Sequence, residues 1–538
     1  MPYYLNWHIV ARHLFKLGLF ATMIALTSSF YHFENIYPQK EDNGNRVHFT
    51  YDYEDSTSLD FYLVGDIGGM EILDDEKRPI NHGPSKGQFM VAERMEELIG
   101  TPYLFGEEFF PEFVLSLGDN FYDSGISFDD ADERFLKTFY KAYNHIGLQW
   151  ITLAGNNDYK VPKNEQINIT ENKNGKGKKH KGHHKNVHIS EEEKKRIEKQ
   201  EKDENFEKAR ERVLAQMIHS EMYKDSIWKF PSEYYVHSHN LEGFNVVFIM
   251  IDTFLLCGGS RKDSLALQKE DGLSQEEKTA KKLAQEKHFS WLEKTLPLYS
   301  GANYLFVAGH YPLYMSVGDR SYTCANRLRN LFEENKISAY LAGHEHSLKY
   351  IQVEHSNTDQ NESEPFTFHQ IVSGAATKME NCLQEKHVLS HYKDEYEDKI
   401  INMASDFQIC HPAGLNKTQF EENQKIFNEE PTLKRILEEE IKEITAQIDT
   451  EKGQVMPEDL VNEYWGKKEQ LKALEKQLDA DTFVNGGFVA VKIDINFARF
   501  SFETVGKDKL TSLANEKIVK GKQNHLGVVK IPNRFTKH

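Results

Sequence analysis

The chain has 538 residues, with 66 basic against 84 acidic side chains and a formal net charge of −18. That balance argues against general nucleic-acid binding, which needs a positive face to displace counterions. Apolar residues make up 39%, enough for a core but leaving part of the chain too polar to join one, and four cysteines exclude a disulfide-dense miniprotein.

The first acidic residue is Glu34, and Arg12, His13 and Lys16 precede an apolar stretch, Leu17–Leu26, that ends at Thr27-Ser28-Ser29. A basic segment, an apolar segment and small residues at a cleavage point read residues 1–33 as a secretory signal. With Lys16 snorkelling, the 18 residues Leu14–Tyr31 also suffice for an uncleaved membrane anchor. An Arg-bearing, acid-free leader resembles a mitochondrial presequence as well. The expected location is the secretory pathway, as a secreted, lysosomal or vacuolar protein, soluble or held to the membrane at its N-terminus. The alternative is the mitochondrial inner membrane.

Beyond a polar link, Gln39–Glu54, come short apolar runs that end at glycine-containing turns: Leu59–Val64, Phe113–Leu117, Trp150–Leu153, Val246–Ile251, Tyr304–Val307 and Ala339–Leu341. Their length and β-branched or aromatic content predict strands, and helix-like stretches lie between several of them. This alternation predicts an α/β fold whose ligands sit at the C-terminal ends of the strands. Phe366–Val372, Gly487–Ile493 and Ala498–Thr504 read as further strands without helices between them. Three polar segments interrupt the pattern, at 164–219, 258–286 and 384–480. The first holds a basic run, Lys173–Lys185, and the helix-forming stretch Ser190–Arg212. In the third, Leu437, Ile441, Ile444 and Ile448, then Leu471, Leu474 and Leu478, recur at helical spacing on either side of a Gly453…Pro457 break. This predicts a helical hairpin within 430–480 whose seam packs on itself or offers a face to a protein partner.

The strand ends carry the chemistry. They read Gly65-Asp66-Ile67-Gly68-Gly69, Gly118-Asp119-Asn120-Phe121-Tyr122, Gly155-Asn156-Asn157-Asp158, Gly309-His310-Tyr311-Pro312 and Gly343-His344-Glu345-His346. One such block recurs by chance in loops; five, each directly after a strand, form a strong signal. Two Asp, one Asn, one Tyr and three His suffice for a pair of metal ions, and a shared Asp would hold them about 3.5–4 Å apart, as suits in-line attack on phosphorus.

These blocks closely resemble those of the purple acid phosphatases, the small tartrate-resistant type in particular, within the calcineurin-like metallophosphoesterases. The resemblance implies a four-layer α/β/β/α sandwich over residues 56–506, with the three polar segments as insertions and 507–538 as a C-terminal tail. It assigns Asp66, Asp119, Tyr122 and His346 to a ferric site and Asp119, Asn156, His310 and His344 to a site for Fe(II), Zn or Mn. Hard phenolate and carboxylate donors suit Fe(III), and the Asn- and His-rich side suits a divalent ion. The implied activity is that of a metal-dependent acid phosphatase, in which a hydroxide held by the dinuclear centre attacks a phosphomonoester with Asn120, Asn157 and His310 nearby.

Two positions depart from the family. Its third block usually reads Gly-Asn-His followed by Asp or Glu, and its His can protonate the leaving oxygen; here that position is Asn157. A second family His commonly lies nine residues after the His of the fourth block, and here that position is Asp319. An amide cannot act as a general acid, and losing a positioned one costs about 10²–10⁴-fold in rate. Two readings follow: a working phosphatase that favours substrates whose leaving group needs no protonation, or uses Asp158, Asp319 or water as a substitute acid, and a scaffold that keeps its metals structurally, as an accessory subunit of a membrane assembly. The resemblance also pairs Cys257 with Cys324, while Cys382 and Cys410 flank the start of the third insertion and offer a second bridge. Three glycosylation sequons, at Asn168, Asn361 and Asn416, fit secretion.

Overall fold

The computed structural model describes residues 48–53, 56–73, 79–122, 124–162, 165–166, 191–223, 225–257, 279–314, 324–355, 366–377, 400–410, 441, 444, 467–468, 486–505, 510–514, 517–521 and 525–535. The strands of the N-terminal half are β1 (His48–Tyr53), β2 (Ser58–Val64), β3 (Met70–Leu73), β4 (Pro79–Gly83), β5 (Phe113–Ser116), β6 (Gln149–Thr152), β7 (Trp228–Lys229), β8 (Tyr235–Leu241) and β9 (Phe244–Met250). Those that follow are β10 (Tyr304–Ala308), β11 (Ala339–Ala342), β12 (Leu348–His355), β13 (Thr367–Ser373), β14 (Ile400–Cys410), β15 (Gly486–Asp494), β16 (Phe497–Val505), β17 (Leu510–Ala514), β18 (Lys517–Gly521) and β19 (His525–Pro532). The longer helices are α1 (Lys86–Leu98), α2 (Glu191–Met222), α3 (Ala280–Thr295) and α4 (Ala325–Glu334).

Side-chain alternation along the strands explains the layers. In β2, Leu59, Phe61 and Leu63 point one way, and Tyr62 and Val64 the other. The first set meets Val246, Phe248 and Met250 of β9 and Phe500 and Phe502 of β16 in a core between two sheets. The second set packs with Val91, Ala92 and Met95 of α1. On the far side, Val247 and Ile249 of β9 join Phe289 and Leu292 of α3 and Leu328 and Phe332 of α4. Three apolar layers between four structural ones make an α/β/β/α sandwich.

One sheet has seven strands in the order β19-β16-β15-β2-β5-β6-β7, and the other has ten in the order β1-β8-β9-β10-β11-β13-β12-β14-β17-β18. Strands β2, β5, β6 and β7 run parallel, as do β9, β10, β11 and β13. The parallel strands of both sheets end at one edge of the sandwich. Hydrogen bonds join the two sheets there, from Ser373 Oγ to the Leu63 carbonyl at 2.8 Å and from Thr377 Oγ1 to the Asp66 carbonyl at 2.5 Å.

Several expected boundaries move. The polar link Gln39–Glu54 contains β1, paired in parallel with β8. The insertion at 164–219 is partly core, because Phe206, Ala209, Val213 and Gln216 of α2 are all buried. The charged segment 258–286 ends inside α3, whose first turn is capped by the Thr279 side chain on the Lys282 N–H. The third insertion contributes β14 to the ten-stranded sheet. The expected tail supplies β19 to one sheet and β17 and β18 to the other. Ile441 and Ile444 of the expected hairpin are helical and buried; its other seam residues lie outside the described residues, as do residues 1–33, Asp319, Cys382 and the three sequons. Cys257 and Cys324 form a disulfide, with Cα atoms 4.8 Å apart. Among the described residues, no helix is long and apolar enough to cross a membrane.

Candidate metal centre

The turns that follow β2, β5, β6, β10 and β11 deliver Asp66, Asp119, Asn156, His310 and His344 to the edge where the two sheets meet. Asp66, Asp119 and His310 are buried and form the floor, while Asn156, His344 and His346 are half-buried above it. Asp66, Asp119 and His344 hold left-handed backbone, with φ of 61°, 55° and 66°. Among the described residues only Lys336 joins them as a non-glycine with positive φ. Each such residue costs about 1–3 kcal/mol, and strain of this kind collects at functional sites. Three of four such outliers at one cluster are therefore a structural signal independent of residue chemistry.

The side chains divide into two groups. In one, the Tyr122 hydroxyl donates to Asp66 Oδ1 at 3.0 Å and lies 3.1 Å from His346 Nε2, which is 3.3 Å from the same Asp66 oxygen. In the other, His310 Nε2 lies 3.1 Å from Asn156 Oδ1, 3.2 Å from His344 Nδ1 and 3.3 Å from Asp119 Oδ1. Ligand atoms of Asp119, His310 and His344 all fall within 4.8 Å of one another. His310 Nδ1 lies 2.8 Å from the Leu117 carbonyl. A carbonyl only accepts, so Nδ1 carries the hydrogen of the neutral ring and leaves the Nε2 lone pair for the cluster.

The electrostatics call for a cation. Burial raises the affinity of Asp119 for a proton, but the neighbouring His310 and His344 and two hydrogen bonds from Asn157 outweigh it and hold the carboxyl below its ordinary range. Burial works against a charged His310, yet Asp119 and then Asp66 raise its pKa above the ordinary value. The same carboxylates would hold a metal ion. Burial, followed by the charges of Asp66 and Asp119, keeps the Tyr122 phenol well above its usual range, so a phenolate there needs a strongly charged cation beside it. Seven oxygen and nitrogen donors of suitable kind, converging from separate turns, fit a pair of metal ions.

Glycines permit this density. A β-carbon at Gly155 would lie 2.3 Å from both the backbone nitrogen and Oδ1 of Asp119, and one at Gly68 would meet the Tyr122 ring at 2.8 Å.

Two further expectations meet different outcomes. Asn157 reaches the cluster, donating to both carboxylate oxygens of Asp119. Asn120 does not. Its Nδ2 donates to the Leu153 carbonyl and Gln216 Oε1, and its Oδ1 accepts from Ser116 and Thr152. All four hydrogen bonds of the amide are used beneath the site, so the expectation of a catalytic Asn120 gives way to a supporting one. Asp158 is likewise buried below the ligands, accepting from the backbone N–H groups of Gly155, Asn120 and Phe121. Burial, with Asp119 next, raises its pKa to about 7. Gln216 was not legible as a site residue, since nothing in a polar helical stretch marks one glutamine as buried.

Comparison with known proteins supports the same reading. The sequence model of the calcineurin-like phosphoesterase family matches residues 59–348. Tartrate-resistant acid phosphatase type 5 of Mus musculus is 29% identical over 307 residues, covering 55% of this chain and 69% of that protein. The protein of the same name from Sus scrofa is 30% identical over 251 residues, 45% of this chain and 55% of its own. Purple acid phosphatase 17 of Arabidopsis thaliana is 30% identical over 127 residues, 23% of this chain and 31% of its own.

Proposed function

The chain belongs to the calcineurin-like phosphoesterase family, and from that premise we propose that it is a metal-dependent acid phosphatase acting on phosphomonoesters. The observation that carries the proposal is the division of the seven donors into Asp66–Tyr122–His346 and Asn156–His310–His344 groups, with Asp119 beside His310 and held by Asn157. The first group with Asp119 would hold Fe(III), and the second with Asp119 would hold Fe(II), Zn or Mn. Bound there, the ions would neutralise the phosphate oxygens and lower the pKa of an attacking water.

The chain's own residues set the stage. The Leu117 carbonyl fixes the His310 tautomer, and Asn157 orients the Asp119 carboxylate. The half-buried rim of Asn156, Asn157, His344 and His346 gives a substrate phosphate its approach, whereas Asp66, Asp119 and His310 lie below it. Asn157 cannot give a proton to the leaving oxygen, which favours esters whose alcohol leaves unprotonated. The same observation favours a second reading, a weakened enzyme that serves as a scaffold. The Cys257–Cys324 bond supports maturation in an oxidising compartment, in keeping with a secretory leader at residues 1–33.

Hydrolysis of 4-nitrophenyl phosphate by the metal-loaded protein, with Asp119→Asn alongside, separates these readings. The proposal expects turnover that is greatest in acid and at least about 100-fold lower in D119N, as for the loss of a group that orients the reacting centre. Absence of turnover in a protein that holds both metals would leave the scaffold reading standing.

A further inference from the structure

We propose that Gln216 of α2 is a positioning residue for the metal centre, clamping from below the two turns that present Asp119 and Asn156; this rests on the metal-centre reading above. Helix α2 lies in the segment that sequence treats as an insertion. Its last turns face inward through Phe206, Ala209, Val213 and Gln216, and Gln216 has no exposed surface. Gln216 Nε2 donates to Asp158 Oδ1 at 2.9 Å, and its Oε1 accepts from Asn120 Nδ2 at 3.1 Å.

Those two partners belong to different ligand turns. Asn120 follows Asp119 directly. Asp158 lies two residues after Asn156 and accepts from the Gly155 N–H at 2.7 Å, while bonding back across to the Asn120 N–H at 3.0 Å and the Phe121 N–H at 3.2 Å. One buried carboxylate and one buried amide thus fix the spacing of the β5 and β6 turns. Without Gln216, Asp158 loses a donor and Asn120 an acceptor in a region that excludes water, and both turns are freed to relax.

The helix is itself held to the site. Arg212, one turn before Gln216, donates to the Ser124 carbonyl at 2.6 Å and pairs with Glu165. His219, one turn after, stacks on Phe135 with ring centroids 3.6 Å apart and lies 3.0 Å from the Tyr140 hydroxyl. Arg212, Gln216 and His219 follow at spacings of four and three, so they share one helix face. The segment read from sequence as an insertion therefore supplies the support beneath the ligand turns.

The test is the Zn²⁺ affinity of the full-length protein, measured by competition with a chelating indicator, for Gln216→Met, Gln216→Asn and Val213→Ala. Val213 is buried on the same helix, and its alanine variant removes packing alone. The expected result is a loss of about 10- to 100-fold in Zn²⁺ affinity for Q216M, as for other residues that support metal ligands from behind. Q216N, which keeps an amide, should lose less, and V213A should stay within about twofold of the parent while melting at a lower temperature. Parent-like affinity in folded Q216M, a loss in Q216N as large as in Q216M, or an equal loss in V213A overturns the role of Gln216. A parent protein that binds no Zn²⁺ overturns the metal-centre reading itself.

Discussion

Asn157 donates to Asp119 twice, its backbone N–H to Oδ1 at 2.8 Å and its side-chain amide to Oδ2 at 2.6 Å. The residue at this position thus holds the carboxylate that the two metal sites are proposed to share. It has no proton to give a leaving alcohol.

For the proposed phosphatase this predicts a substrate preference. Aryl phosphates, whose leaving groups need no protonation, should be hydrolysed far better than alkyl phosphates. Asn157→His should raise alkyl phosphate turnover by about 10²–10⁴-fold while changing aryl turnover little. Parallel steady-state rates on 4-nitrophenyl and simple alkyl phosphates measure this, and an unchanged alkyl rate in N157H would remove the leaving-group explanation.

Gly155 should tolerate no side chain. The β-carbon of Gly155→Ala would sit 2.3 Å from Asp119 Oδ1 and 2.8 Å from His310 Cε1, well inside van der Waals contact with two proposed ligands. Metal content after dialysis should fall by at least about tenfold, with the far-UV circular dichroism of the parent retained.

Acid should cost this fold stability through its buried histidines. His288 is fully buried against Tyr234, with no hydrogen-bond partner for either ring nitrogen among the described residues, and burial holds its pKa well below the ordinary value. Burial also lowers His237, to about 3, and His239. Between those values and about 6.5 the unfolded chain binds protons that the folded chain does not, so this contribution is intact above pH 6.5 and is lost as pH falls. His288→Leu should therefore stabilise the protein at pH 5 by about 2 kcal/mol more than at pH 8. Denaturant melts at the two pH values give the difference; an equal effect at both would contradict a neutral buried ring.

Strands β2, β5, β6, β10 and β11 were legible because each is a mostly apolar run stopped by glycine, and the seven proposed ligands because they fall within four residues of those stops. Strand β8 was hidden by its own inward face. His237 and His239 occupy that face between Tyr235 and Leu241, so the alternation that marks a half-buried strand carries polar residues where apolar ones are expected. Helix α2 was legible as a helix but not as core, since its buried side chains, among the described ones, lie from Phe206 onward and include Arg212, Gln216 and His219. The supporting place of Asn120 was hidden for a related reason. A polar residue beside a ligand reads the same in sequence whether it faces substrate or braces the turn from behind, and only the hydrogen-bond partners tell the two apart.

The proposed metal centre depends on Tyr122, in contact with Asp66 and His346, serving as the phenolate partner of a ferric ion. The visible absorption spectrum of the iron-loaded protein tests this most directly. A broad tyrosinate-to-Fe(III) charge-transfer band is expected, and it should disappear in Tyr122→Phe while the protein remains folded. An iron-loaded protein without such a band, or a band that survives in Y122F, would contradict that role.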